Sequence, residues 1–145
     1  MTRPTVLVGL DDSAAARAAL AWAARYCRRT VSALRAVNVL QWPIGVASIG
    51  RPAEQVLFLP EREVSSDYLR AIRGIFRDVE PEASWMLTFA EGDAGEVLVR
   101  LAEDNEFELL VVGTQEHVGF RRAVLGSVSH YCLSHARCPV VAVPR

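Results

Sequence analysis

Three glycines near the C-terminal end of the chain are spaced as in loops that hold phosphate groups. Gly113 follows the apolar run 109–112, Gly119 lies midway along the loop, and Gly126 precedes Ser127 at the start of a helical segment. Glycine lets the backbone approach an anion closely, and the unpaired N–H groups of a helix start favour negative charge. The strand, the loop and the helix N-terminus together predict a phosphate site.

Glu116 lies inside this loop, where a carboxylate would repel a bound phosphate. At about 4 Å and an effective dielectric constant near 20, two like charges repel by about 4 kcal/mol, which is roughly a thousandfold in affinity. Arg121 and Arg122 leave two alternatives open: one arginine pairs with Glu116 and closes the loop without nucleotide, or the arginines bind phosphate and offset Glu116. A third alternative is that Glu116 is an ordinary surface charge.

Alternating short apolar runs and amphipathic segments predict the elements that position this loop. Strands are predicted at 5–10, 32–40, 85–90, 108–112 and 139–143, and helices at 14–29, 61–79, from 93 onward, and 127–136. Residues 41–60, with three prolines and two glycines, are predicted to form a long loop. The order predicts an α/β fold: a three-layer, open, twisted, five-stranded parallel sheet with helices on both faces. A chain of 145 residues suits one domain, spanning 1–145.

Ligands of such sheets bind beyond the carboxyl ends of the strands, where the strand order reverses. The loops after the first, second and fourth predicted strands meet there if the first lies between the other two. Asp11 and Asp12 follow the first strand, and Val39 lies near the end of the second. Asp11, Asp12 and Ser13 form an N-cap cluster, in which we expect one of the two carboxylates to cap the following helix, and Asp11 is also a candidate ligand for a ribose or base. Two carboxylates alone are too few to predict a magnesium site.

Composition excludes several other classes of function. The chain has 16 cationic residues and no lysine, which excludes a Walker A loop, a Schiff-base lysine and a kinase-type lysine. A net charge of −1, with no stripe of basic and aromatic residues, argues against nucleic-acid binding. No apolar run is long enough to span a membrane, and the apolar stretch of the N-terminal segment is too short for a signal peptide.

The cysteines and histidines give no clear sign of a metal or catalytic site. Cys27, Cys132 and Cys138 form no C-x-x-C pair, so we expect free thiols in a reducing cytoplasm. His130, Cys132, His135 and Cys138 lie close in sequence, but their spacing fits no zinc site. A redox role for Cys132 would need an exposed, electropositive setting. Because no catalytic constellation is present either, we expect no metal and no enzymatic activity.

With these elements in place, the chain resembles the universal stress proteins over essentially its whole length. The signature of that family is Gly, two residues, Gly, nine residues, and then Gly followed by Ser or Thr. Gly113 and Gly126-Ser127 match it, whereas Glu116 replaces the second glycine. The strand end VLVGLDDS, with Asp11, and the segments GDAGEVLVRLAEDNEFELLVVGT and SHARCPVVAVP are also similar to family segments.

The resemblance implies a Rossmann-like fold of the adenine nucleotide alpha hydrolase type. In members that bind ATP, Asp11 would contact the nucleoside and Val39 the adenine, and Gly113, Gly126 and Ser127 would hold the phosphates, with Mg²⁺ if ATP binds. Other members do not bind ATP, and members commonly form homodimers through the last strand, here 139–143.

Two hypotheses follow for this chain. The first is a cytoplasmic, non-catalytic stress-response module whose nucleotide site is altered by Glu116 and which acts through its dimer or an unidentified protein partner. The second is an ATP-binding switch, with slow ATP hydrolysis left open, in which Arg121 or Arg122 contacts the phosphates and ATP alters a partner-binding surface.

Overall fold

The computed structural model describes residues 3–40, 57–58, 66–104, 107–114 and 125–145, with the backbone alone for 57–58 and Ser66. Within them lie six strands: β1 Thr5–Gly9, β2 Ala33–Leu40, β3 Leu57–Phe58, β4 Met86–Glu91, β5 Leu109–Gly113 and β6 Val140–Val143. Four helices lie between them: α1 Ala14–Thr30, α2 Ser66–Asp78, α3 Ala94–Asp104 and α4 Ser127–His135.

The strands form one sheet in the order β3-β4-β2-β1-β5-β6. All pairs from β4 to β6 are parallel, which confirms the predicted five-stranded parallel sheet. One correction concerns the predicted loop 41–60, because β3 lies inside it and pairs antiparallel with β4. A two-residue strand is too short to show any periodicity, so pairing with β4 rather than local sequence defines it.

β1 lies between β2 and β5, which is the arrangement that brings the three predicted loops together. Val8 is in register with Ala36 of β2 on one side and with Val111 of β5 on the other. From β1 the chain first adds β2 and β4 on one side, and it then returns to add β5 and β6 on the other side of β1. The reversal occurs at the carboxyl ends of β1 and β5.

Alternate residues of β1 point into two separate cores. Val6 and Val8 pack with α1 and α2 on one face, and Leu7 packs with α3 and α4 on the other. The face of α1 that packs on the sheet includes Ala16, Leu20, Ala23 and Cys27, which recur at helical spacing and are all buried. Its alanines let the helix axis lie close to the sheet, which brings the first turn of α1 against the end of β5.

Val31 ends α1 in a conformation that suits glycine better than valine. Its backbone is left-handed, with φ 57° and ψ 39°, and its side chain is 66% exposed. A left-handed residue with a Cβ costs about 1–2 kcal/mol. We expect Val31→Gly to raise the free energy of unfolding by about 1 kcal/mol and the Tm by roughly 3 °C, measured by thermal unfolding. Val31→Ala keeps the Cβ and should gain less, and a lower Tm for the glycine variant would contradict this account.

Candidate functional site

A cleft opens over the carboxyl ends of β1, β2 and β5, at the point where the strand order reverses. Its volume is ≈ 570 Å³, within the usual range for small-molecule sites. Five of the predicted site residues line this cleft: Asp11, Val39, Gly113, Gly126 and Ser127. These side chains and backbone groups come from four separate segments of the chain, and only the fold brings them together.

The other four predicted site residues are Glu116, Gly119, Arg121 and Arg122, which lie outside the described residues, as does most of the predicted loop 41–60. The alternatives for Glu116 (paired to an arginine, offset by the arginines, or turned to solvent) therefore stay predictions.

Ser13, and neither aspartate, caps α1. Its hydroxyl accepts a hydrogen bond from the Ala16 N–H at 3.1 Å, which corrects the expectation that Asp11 or Asp12 would do so. The Asp11 carboxylate instead accepts the Ser13 N–H at 2.8 Å through Oδ1. This local bond fixes the side chain beside the cleft, and Oδ2 makes no hydrogen bond within the described part of the chain. Asp11 therefore keeps one acceptor for a ligand.

The N-terminus of α4 reaches the cleft without a side-chain cap. Its N-cap residue is Gly126, and the first turn contains no acidic residue. The first hydrogen bond of the helix runs from the His130 N–H to the Gly126 carbonyl at 2.9 Å. The N–H groups of Ser127 to Ser129 therefore have no acceptor within the helix. Because Ser127, Val128 and Ser129 line the cleft, these groups and the helix dipole offer a site for an anion.

Gly113 brings β5 into direct contact with the first turn of α1. A Cβ at this position would lie 2.5 Å from both the carbonyl carbon and the carbonyl oxygen of Ala15. No atom of that backbone can move away without displacing the helix. Gly113 therefore has a packing role of its own, apart from any contact with phosphate.

Tyr68 and Asn38 are site features that sequence reasoning missed. Tyr68, in the first turn of α2, lines the cleft, and Asn38 of β2 donates a hydrogen bond to its hydroxyl at 2.8 Å. The available signal was a single asparagine inside the otherwise apolar end of the second strand, where Asn38 is completely buried. Buried asparagine is rare unless its amide has partners, and those partners point towards the site.

The cysteine and histidine cluster of α4 is explained by packing. Cys132 is fully buried, and the His135 ring stacks on Tyr131 with ring centroids 4.1 Å apart. Among residues 3–40, 66–104, 107–114 and 125–145, no three His, Cys, Asp or Glu side chains lie close enough to hold a metal ion. In the same residues, no helix is both long and apolar enough to cross a membrane.

Burial keeps the two inner thiols protonated. It raises the pKa of Cys27 to about 12 and that of Cys132 to about 11, and burial also raises the pKa of Cys138. The setting of Cys132 is thus the opposite of what a redox sensor needs.

We expect a thiol reagent at pH 8 to label native Cys27 and Cys132 at least a hundredfold more slowly than the same residues in denaturant, because the thiolate is the reactive form. Cys138→Ser should leave two protected thiols in a native titration, and rapid labelling of either would contradict their burial.

The raised pKa values of Cys27 and Cys132 also predict how stability depends on pH. Because they exceed the pKa of an exposed thiol, the two thiols lose their protons at a lower pH in the unfolded state than in the folded state. The free energy of unfolding should therefore fall as the pH rises from about 9 towards 11.

The open parallel sheet, the helices on both faces and the cleft at the reversal of strand order define a doubly wound, Rossmann-like α/β domain. The sequence pattern of the universal stress protein family matches residues 2–144, and the chain belongs to that family.

Individual relatives agree with this assignment. A universal stress protein of Synechocystis is 33% identical over 67 residues, which is 46% of this chain and 58% of that protein. The chain thus spans less than two thirds of this relative's length. A crystal structure of a universal stress protein in complex with cAMP superposes with a TM-score of 0.64 at 20% identity, covering 99% of this chain and 98% of that one. An Arabidopsis thaliana family protein with AMP bound has a TM-score of 0.60 at 19% identity, covering 98% and 92%.

Proposed function

We propose that this chain is a non-catalytic, cytoplasmic regulatory module that binds an adenine nucleotide with a single phosphate in the cleft, and that Glu116 disfavours ATP. The observation that carries the proposal is the meeting of Asp11, Val39 and the uncapped α4 N-terminus in one cleft. Asp11 offers a free carboxylate oxygen for the nucleoside, Val39 an apolar wall for the base, and α4 its N–H groups for a phosphate. The complexes of two relatives with cAMP and AMP support the same ligand class.

The chemistry of the cleft supports binding rather than catalysis. Its titratable side chains among the described lining residues are Asp11, Asp12 and Tyr68. The cleft hydroxyls of Ser13, Thr114 and Ser129 are engaged with the Ala16 N–H, the Val143 carbonyl and the Gly126 carbonyl. In the described part of the chain, none of the cleft hydroxyls, that of Ser127 included, is hydrogen-bonded to a general base. A module of this kind would signal through the change that ligand binding makes to its surface, read by an unidentified protein partner.

An ATP-binding switch is the alternative. In it, Arg121 or Arg122 would contact the phosphates and offset Glu116, and ATP would bind together with Mg²⁺. The uncapped helix N-terminus of α4 is compatible with either ligand, so the discriminating measurement is affinity as a function of phosphate number.

Calorimetric titration of AMP and adenosine into the protein tests the proposal. We expect AMP to bind, and Asp11→Asn to weaken it by about tenfold or more, the usual effect of losing a hydrogen bond to a charged group. Asparagine keeps an oxygen for the Ser13 N–H, so the local turn is retained. Asp104→Asn, at the opposite end of α3 from the cleft, is the matched control. Failure of the parent to bind either ligand would overturn the proposal.

We also propose a symmetric homodimer through β6, which lies at the end of the sheet and has half-exposed apolar residues. The Pro139 carbonyl accepts from Leu110 of β5, and the Val143 carbonyl accepts from Thr114, the residue after β5. The alternation of a parallel strand therefore directs the N–H groups of Val140 and Ala142 outwards. We expect Ala142→Pro to remove an outward donor and convert the dimer to a folded monomer, measured by light scattering. Val141→Pro, which removes an inward bond, should instead destabilise the fold. A monomeric parent would contradict this proposal.

A further inference from the structure

Tyr68 has a hydrogen-bonding role in the cleft that the proposed function does not use. Its hydroxyl oxygen accepts the Asn38 Nδ2 hydrogen bond at 2.8 Å. A phenol that accepts one hydrogen bond still has its own proton to donate. The structure shows no acceptor for that proton in the described part of the chain, and Tyr68 is half-buried and lines the cleft. The free donor therefore lies where a ligand would bind.

Asn38 fixes the direction of this donor. Its Nδ2 also donates to the Leu10 carbonyl at 2.8 Å, and because a carbonyl can only accept, the amide cannot be flipped. The side chain is completely buried, and its Oδ1 has no partner among the described residues. An unpaired buried acceptor is destabilising, so Asn38 is a costly choice for the core. What it provides is a rigid link from the end of β1 to the phenol of α2.

The charges around Tyr68 indicate which part of a nucleotide it would meet. Burial raises the pKa of Tyr68, and the nearby carboxylates of Asp12 and Asp11 raise it further, whereas the hydrogen bond with Asn38 lowers it. The net shift of the pKa is upward, so the phenol stays a donor at neutral pH. Those carboxylates repel phosphate. The N–H groups suited to phosphate belong to α4, which packs on the opposite face of the sheet from Tyr68. The phenol thus lies at the end of the cleft that suits the nucleoside.

We propose that Tyr68, held by Asn38, is a ligand-binding residue that donates a hydrogen bond to an acceptor of the nucleoside, either a base nitrogen or a ribose oxygen. The inference rests on the proposed function and adds to it a recognition element on α2, outside the glycine loop and the strand ends.

Calorimetric titration of adenosine and AMP into the parent and Tyr68→Phe tests the inference. Loss of one neutral hydrogen bond should raise the Kd about fivefold, equally for both ligands. Tyr26→Phe is the matched control, because Tyr26 donates to Glu108 at 3.1 Å near the amino ends of the strands, away from the cleft. Tyr26→Phe should leave both Kd values unchanged. A parent-like circular dichroism spectrum and a calorimetric stoichiometry near one verify that each variant is folded.

The outcomes separate the two proposals. If the parent binds but Tyr68→Phe binds equally well, Tyr68 is not a ligand contact and the proposed function stands. If the variant loses affinity for AMP alone, the phenol contacts phosphate and the nucleoside assignment is wrong. If the parent binds neither ligand, the proposed function is overturned and the role of Tyr68 with it.

Discussion

Glu116→Gly is expected to tighten ATP binding by up to roughly a thousandfold, measured by calorimetric titration in the presence of Mg²⁺. The factor corresponds to removing a like-charge repulsion of about 4 kcal/mol, the value for two charges about 4 Å apart at an effective dielectric constant near 20. The glycine would also restore the family signature and allow the loop backbone to approach the phosphates. The gain should shrink as salt is added, because exposed charges are screened.

Two comparisons separate charge from shape in this experiment. Glu116→Gln removes the charge and keeps the side chain, so it should recover most of the gain if repulsion is the cause. Adenosine carries no phosphate and should bind the parent and both variants equally. The gain in affinity for AMP should lie between that for adenosine and that for ATP. Micromolar ATP binding by the parent, unchanged in the glycine variant, would contradict the role of Glu116 and favour the arginines as phosphate partners. If neither the parent nor Glu116→Gly binds ATP, residues other than Glu116 prevent ATP binding.

The parallel sheet was predictable because each strand has a local signature. The apolar runs at β1 and β5 are buried on both faces, and the period of α1 places Ala16, Leu20 and Cys27 against them. The site residues on these elements could be placed for the same reason. A strand end followed by a helix start defines the position of Asp11 or Gly126 once the strand order is known.

The missed features depend on contacts between distant segments. β3 consists of two residues and exists only through pairing with β4. Tyr68 accepts a hydrogen bond from Asn38 of β2, which lies 30 positions earlier in the sequence. Nothing in the local sequence of α2 distinguishes a tyrosine that lines the cleft from a tyrosine of the core. Ser13 rather than Asp11 caps α1 because both residue types favour that position, and only the turn geometry chooses between them.

Gly113→Ala is expected to lower the free energy of unfolding by about 3 kcal/mol, measured by urea denaturation, since overpacking against rigid neighbours has effects of this size. The new methyl group would meet the Ala15 backbone at 2.5 Å, so α1 or β5 must shift. Ala15→Gly should not rescue the variant, because removing the Ala15 side chain leaves the carbonyl in place. Gly74→Ala is the matched control: nothing lies within 4 Å of a Cβ there, and it should stabilise α2 by about 0.5–1 kcal/mol.

The result also decides why this chain keeps one signature glycine and replaces another. If Gly113→Ala is strongly destabilising, Gly113 is required by the packing of β5 on α1 whether or not a nucleotide binds. Its presence is then no evidence for a working phosphate loop, and Glu116 can replace the second glycine without harm to the fold. If Gly113→Ala has parent-like stability but weakens AMP binding, the packing argument is wrong and Gly113 serves the ligand. The affinity of the site for ATP would then depend on the whole glycine loop rather than on Glu116 alone.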